Sequence, residues 1–234
     1  MWHLKPGMFL TTGEVERLLT FLADCVSPDT GRNRDTARLD ELICTSLIFS
    51  GMRNSEFCAL TMSNTIVGMG VSTFVVERSD GPSRTVCVPN LVSALVSTYV
   101  DEVRPRFLPA GIDPQDRSQP LLFNEHRRPY ERTGLYRRVV RILTDAGLGD
   151  RASVQLLRHT YGYLAYLRTG GNLLFVQRQL GHAHPRITAI YAELVDESYA
   201  ELAERVAGAA APTTSWLTEA VAPSSRLRFS CETD

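Results

Sequence analysis

The sequence predicts an α+β domain, mainly α-helical, with one small antiparallel β-sheet or hairpin. Three observations carry this expectation. Apolar residues recur at helical spacing along most of the chain, one pair of β-branched stretches flanks a turn signal, and the composition leaves room for a core. Of 234 residues, 44% are hydrophobic and 22% charged, an ordinary balance for a folded domain that sets aside wholesale disorder and coiled-coil architectures. No apolar run approaches the ~18 residues of a membrane span and no secretory leader is visible, so the expected location is cytoplasmic.

The elements follow in order. Thr11 with Glu14 has the form of a capping box opening an amphipathic helix through Val15, Leu18, Leu19, Phe21 and Leu22, which stops near Cys25. A polar linker leads to a second helix whose apolar positions Leu39, Leu42, Ile43, Leu47 and Ile48 run up to Gly51, a residue suited to a C-terminal cap. A short helical turn is expected at 55–60. The stretches 73–78 and 84–88 flank Ser79-Asp80-Gly81-Pro82 and read as a β-hairpin. Further helices are expected at 91–103, 131–146, 154–167 and 173–180, the last capped by Asn172, and a short one after Asp196. Residues 1–208 read as one domain, and 209–234, rich in Ala, Pro, Ser and Thr, as a flexible tail.

Charge and cysteine content narrow the chemistry. The five cysteines are scattered with no C-x-x-C pair, which argues against a disulfide framework or a zinc knuckle. A site from His159, His182 and His184 lacks a helical i, i+4 pair and a carboxylate, so no metal and no other cofactor is expected. The formal charge is -1, but of 25 basic residues Lys5 is the one lysine and the rest are arginines. High-GC coding is the bland explanation; selection for forks that grip phosphate is the alternative. Arg127, Arg128, Arg132, Arg137, Arg138 and Arg141 concentrate positive charge in one stretch, whereas Glu193 to Glu204 holds five acids and no base.

Four local patterns matter together: Gly51-Met52-Arg53 with Glu56 three residues beyond the arginine, Gln155 with Arg158-His159 inside an apolar helix, Leu180-Gly181-His182 at a helix end, and Tyr191 nine residues later. Each alone has a plain structural reading, such as a surface Arg53–Glu56 pair. An arginine on a helix lined by leucines, however, needs a partner or an anionic ligand. Taken together, in order and spacing, GMRNSE, LLRHTYGYLAYLRTGG and LLFVQRQLGHAHPRITAIY resemble the tyrosine recombinase (phage integrase) family over roughly residues 9–207.

The resemblance implies a catalytic domain that cleaves and rejoins DNA through a 3′-phosphotyrosine. Tyr191 would be the nucleophile, Arg53 and Arg158 the cations on the phosphate, His182 a hydrogen-bond donor to it, and Glu56 a support for Arg53. Two positions depart from the family pattern. Gln155 stands where the family has histidine or lysine, and glutamine cannot carry a proton as an acid or base. The family's hairpin lysine is absent, leaving Arg78 beside the expected position as a possible substitute; a guanidinium is a poor proton donor to a leaving oxygen. A catalytically weakened relative that binds DNA is therefore the alternative. The implied partners are double-stranded DNA, bound in part by the arginine cluster, further copies forming a homotetramer on DNA, and an accessory bending or directionality protein. The chain begins at the catalytic domain, so the likeness is to short members without a separate N-terminal core-binding domain. The 185–191 segment is expected to be mobile without DNA. A likeness of Arg158-His159 to the R-H-G signature of histidine phosphatases is weaker, because the pair lies mid-helix.

Overall fold

The computed structural model describes residues 4–28, 31–68, 70–77 and 82–194. These belong to one compact unit, Met1–Val195. Arg78, the acidic helix after Asp196, the boundary at 208 and the tail fall outside the described residues.

Helix α1 (Thr12–Val26) opens with the expected capping box: the Thr11 hydroxyl accepts from the Glu14 N–H, and the Glu14 carboxylate accepts from the Thr11 N–H at 2.8 Å. Helix α2 (Arg34–Ser50) starts at Asn33, whose side chain accepts from the Thr36 N–H, and ends at Gly51 in the left-handed region (φ 61°). It buries residues on nearly every side, including Leu39, Leu42, Ile43, Leu47 and Ile48, and packs on α1 and on helix α7 (Val154–Arg168). It is the axis of the core, which explains why its apolar positions exceed one stripe.

Helix α3 (Asn54–Cys58) leads into a three-stranded antiparallel sheet of order β1 (Thr65–Ile66), β2 (Ser72–Val76) and β3 (Arg84–Val88). The register pairs Phe74 with Val86 and Val76 with Arg84. The hairpin is as the sequence predicts; β1 is an addition, too short to show a period. Helix α4 (Asn90–Thr98) continues through a π-turn into α5 (Arg104–Phe107), close to the single helix expected there. Helices α6 (Arg132–Asp145), α7 and α8 (Leu173–Leu180) match their predicted stretches. Asn172 caps α8 by accepting from the Phe175 N–H. Helix α9 (Pro185–Ala189) occupies the segment expected to be mobile, and the buried Tyr191 stands two residues beyond its end.

The apolar residues form two clusters. The larger joins α1, α2, the sheet, α4, α6 and the inner face of α7. The smaller unites Phe9, Tyr161, Ala165, Val176, Leu180, Ile190 and Tyr191, so the tyrosine singled out by sequence is part of a hydrophobic core.

The arginine cluster divides. Arg127, Arg128, Arg132 and Arg137 are exposed, with Arg127 at φ 58° in a turn tied by the Asn124 side chain. Arg138 corrects the sequence expectation of a DNA-facing side chain. It is 6% exposed and donates to Asp40 on α2 at 2.5 Å, to Glu125 and Tyr130 at 2.7 Å each, and to the Thr36 carbonyl. Helical periodicity turns it inward, away from Arg137 and towards a carboxylate that burial would otherwise leave uncompensated. Arg141, half-exposed, lies 3.5 Å from the same Asp40.

Arg138→Ala is expected to lower the unfolding free energy by about 3–5 kcal/mol at neutral pH, since Asp40 would stay buried without its main partner. Burial already holds the Asp40 carboxyl above its usual range, more than Arg138 lowers it, and removing Arg138 raises it further. A raised folded-state pKa leaves stability intact below the unfolded-chain value and erodes it as pH climbs towards the folded value. In urea titrations at about pH 4 and about pH 7, the variant's deficit should therefore shrink at the lower pH; an equal deficit at both would remove the Asp40 charge as its cause.

Candidate active site

The arginine inside α7 finds its partners at two helix ends. Arg158 is 5% exposed and donates from one terminal nitrogen to the carbonyl of Gly51, the cap of α2, and from the other to the carbonyl of Leu180, the last residue of α8, at 2.7 Å. Helix C-termini carry unsatisfied carbonyls and partial negative charge, so a guanidinium placed between two of them is both hydrogen-bonded and electrostatically matched. Burial first, and then the charge of Arg53, lower its pKa to about 10, which still leaves it a cation near neutrality. Gly51 is required twice: its φ is positive, and a Cβ there would lie 2.5 Å from Tyr161 and 2.7 Å from Leu180.

Arg53 leaves the α2 cap extended and precedes α3, whose Glu56 reaches back to it. The Glu56 carboxylate accepts from the Arg53 backbone N–H at 2.8 Å and from its guanidinium at 2.7 Å, and also takes two bonds from Arg84 on β3, at 2.6 and 2.8 Å. Burial works to raise the Glu56 pKa, but hydrogen bonds and charge from Arg84 and Arg53 outweigh it and hold the carboxyl at about 2. Glu56 is thus ionised throughout the physiological range. The Arg53 side chain remains 48% exposed, available to a ligand. Arg84 was not singled out as a site residue from sequence. The strand's alternation was the usable signal, since Arg84 shares its side of β3 with the buried Val86 and Val88.

Gly181 ends α8 in the left-handed region, and its missing side chain makes room for Arg84, whose guanidinium atoms would lie 2.8 Å from a Cβ. Arg84, Gln177, Arg178 and His182 line one cleft of about 450 Å3 between β3 and α8. The His182 ring is half-buried, its Nδ1 2.9 Å from the Thr188 hydroxyl.

Tyr191 is 1% exposed. Its ring lies parallel to that of His182, with centroids 6.5 Å apart, and its phenol oxygen is 3.2 Å from His159 Nδ1. His159 Nε2 is in turn 3.0 Å from the Gln155 amide nitrogen. Gln155, His159 and Gly162 share a face of α7, and the tyrosine ring fills the space over Gly162: a Cβ there would be 2.1 Å from the ring carbon bearing the hydroxyl. Sequence reasoning passed over His159 as a site residue and Gly162 altogether, although their i, i+4 and i, i+7 spacing from Gln155 was legible.

Burial sets the protonation of this cluster. It pushes the Tyr191 phenol up to about 12, against a smaller lowering by Arg158. It pulls both His159 and His182 down to about 4, with Arg158 adding to the effect. At neutral pH the site holds a protonated phenol, two neutral imidazoles and fixed guanidinium charge. Such a set can grip an anionic oxygen through Arg53 and hydrogen-bond it through an imidazole. Among the described residues no cluster of three metal-ligating side chains occurs, and no helix is long and apolar enough to cross a membrane. The structure thus brings Arg53, Glu56, Arg158, His182, Tyr191 and Gln155 into one locality; Arg78 lies outside the described residues.

Known proteins resemble this chain in both sequence and fold. The model of the phage integrase family matches residues 8–198. Tyrosine recombinase XerD of Caulobacter vibrioides is 30% identical over 200 residues, covering 83% of this chain and 60% of the relative, and XerD of Staphylococcus epidermidis is 28% identical over 182 residues, covering 76% and 56%. The chain therefore spans little more than half the length of these curated relatives. Among solved structures, XerH site-specific recombinase bound to its difH substrate superposes with a TM-score of 0.67 at 21% identity, covering 86% of this chain and 53% of that one. The catalytic domain of bacteriophage HP1 integrase gives 0.51 at 23% identity, covering 86% and 94%. With the family model matching most of its length and the arginines, histidine and tyrosine gathered as described, this chain belongs to the phage integrase family.

Proposed function

We propose that this chain is a site-specific recombinase that cleaves and rejoins double-stranded DNA with Tyr191 as nucleophile. The observation that carries the reading is the placement of the Tyr191 phenol oxygen on His159, beside His182 and the charge of Arg158. In the first step the phenol oxygen attacks the scissile phosphorus, the bond to the 5′ oxygen breaks, and a 3′-phosphotyrosine forms. The phenol proton leaves and the 5′ oxygen gains one. Reversal by another 5′ hydroxyl reseals the strand without ATP, since the phosphotyrosine conserves the bond energy.

Negative charge grows on the non-bridging oxygens in the transition state, and fixed cations there are the main catalytic resource. We assign that role to Arg53 and Arg158, with His182 donating to the same phosphate and Gln155 positioning His159. Glu56 and Arg84 hold Arg53 in place. A phenol with a pKa of about 12 is a weak nucleophile until it loses its proton. With Nε2 facing the Gln155 amide nitrogen, a donor, neutral His159 carries its proton on Nδ1 and is placed to donate to the phenol oxygen, stabilising the charge that grows there as the proton departs. Arg78 is retained as the proposed substitute for the hairpin lysine. Arg127, Arg128, Arg132 and Arg137, all exposed, are proposed to face the DNA backbone, and four copies to act on two duplexes.

The decisive test is a nicked duplex, selected for binding from a random-sequence pool, that traps a covalent protein–DNA adduct. Wild type should form the adduct at Tyr191, identified by peptide mass, and Tyr191→Phe should form none while keeping DNA affinity within about three-fold. Binding without adduct in the wild type would leave a DNA-binding protein and remove the recombinase reading. Glu56→Gln should lower single-turnover cleavage by roughly 10²-fold, because both arginines lose their shared anion; an unchanged rate in the folded variant would separate Glu56 from catalysis. Gly162→Ala should evict the tyrosine ring from its seat, read as faster hydrogen exchange across 185–194 with unchanged helical circular dichroism. Unaltered exchange would mean that α7 can shift to accommodate the methyl.

A further inference from the structure

The two ring nitrogens of His182 have different surroundings. Nδ1 lies 2.9 Å from the Thr188 hydroxyl, whereas Nε2 has no hydrogen-bond partner among the described residues. Thr188 sits on α9, three residues before Tyr191, and is 1% exposed. A buried hydroxyl keeps its proton on an acceptor where one is in reach. For Thr188 that acceptor, among the described residues, is the Nδ1 lone pair of His182. A neutral imidazole has one N–H and one lone pair, so a ring accepting at Nδ1 carries its proton on Nε2.

We propose that Thr188 is a positioning residue: its hydroxyl donates to Nδ1 of His182, fixes the orientation of the ring and holds it as the Nε2–H tautomer, leaving that N–H free for an anionic oxygen of the substrate. The catalytic consequence rests on the strand-cleavage reading above; the tautomer itself does not. Tautomer control matters because the ring is neutral, its pKa lowered to about 4 by burial and by the charges of Arg158 and Arg53. An imidazolium would donate from both nitrogens regardless of Thr188. Thr188 and Tyr191 also share one short turn, the Tyr191 N–H donating to the Thr188 carbonyl at 3.1 Å. The position of the tyrosine segment therefore decides whether His182 presents a donor.

Nitrogen-15 NMR of the histidine-labelled full chain tests the tautomer, with the His182 signals assigned by their loss in His182→Gln. At neutral pH the wild type and Thr188→Ser should show Nε2 protonated and Nδ1 as a hydrogen-bonded acceptor. Thr188→Val should lose the Nδ1 hydrogen-bond shift and gain the Nδ1–H form. Single-turnover cleavage of the selected nicked duplex should fall about 10-fold in Thr188→Val, stay within about two-fold in Thr188→Ser, and leave DNA affinity unchanged in both. A wild-type ring protonated at Nδ1 overturns the proposal whether or not the valine variant folds, and so does a valine variant that matches wild type in both spectrum and rate. If the wild type forms no adduct with any duplex, the strand-cleavage reading falls while the spectrum still decides the role of Thr188.

Discussion

The buried guanidinium of Arg158 is the constraint around which the site is organised. A charge in the interior must be matched, and here the match is two helix C-termini, α2 through Gly51 and α8 through Leu180. The bonds fix the end of α2, which sets where Arg53 emerges, and the end of α8, which sets the turn carrying His182. One side chain thus ties three sequence-distant segments together, and its charge is compensated by dipoles rather than by a carboxylate that would compete with a phosphate for it. The carboxylate of the site, Glu56, serves Arg53 and Arg84 instead.

The same burial that makes Arg158 costly without partners sets the resting chemistry of its neighbours. Desolvation disfavours whichever form of a group is charged, so it raises Tyr191 and lowers His159 and His182 together. At neutral pH the protein therefore holds the Tyr191 phenol protonated and the two imidazoles neutral. In the function proposed above, an incoming phosphate would bring the negative charge that balances the guanidinium groups. Seating the tyrosine in an apolar cluster with Val176, Leu180 and Ile190 stabilises this resting arrangement.

Glycine makes the close approaches possible. At 51 and 181 a left-handed backbone and the absence of Cβ act together, letting helix ends come within reach of Tyr161 and Arg84; at 162 the missing side chain alone makes the bed for Tyr191. The glycines of the family motifs thus have physical work beyond ending helices: they set the distances at which charged and aromatic groups meet.

Much of this was legible along the chain. The capping box at Thr11, the run of α2 to Gly51, the hairpin and the spans of α6, α7 and α8 follow from local periodicity and cap chemistry, which depend on neighbours a few residues away. The order and spacing of Arg53, Arg158, His182 and Tyr191 pointed to the family for the same reason. What the sequence could not decide is which side chains those segments present to one another. Arg138 reads as one more member of a basic stretch, and only the packing of α6 on α2 turns it onto Asp40. Arg84, His159 and Thr188 acquire their meaning from partners 28, 32 and 6 residues away; alternation and helical spacing show which face Arg84 and His159 occupy, but not which side chain meets them there. The segment before Tyr191 is expected from sequence to be mobile because the tyrosine must reach a phosphate that the free protein lacks; the short helix it forms is a tertiary outcome, since burial of Ile190 and Tyr191 in the core supplies the stabilisation that five residues of helix cannot.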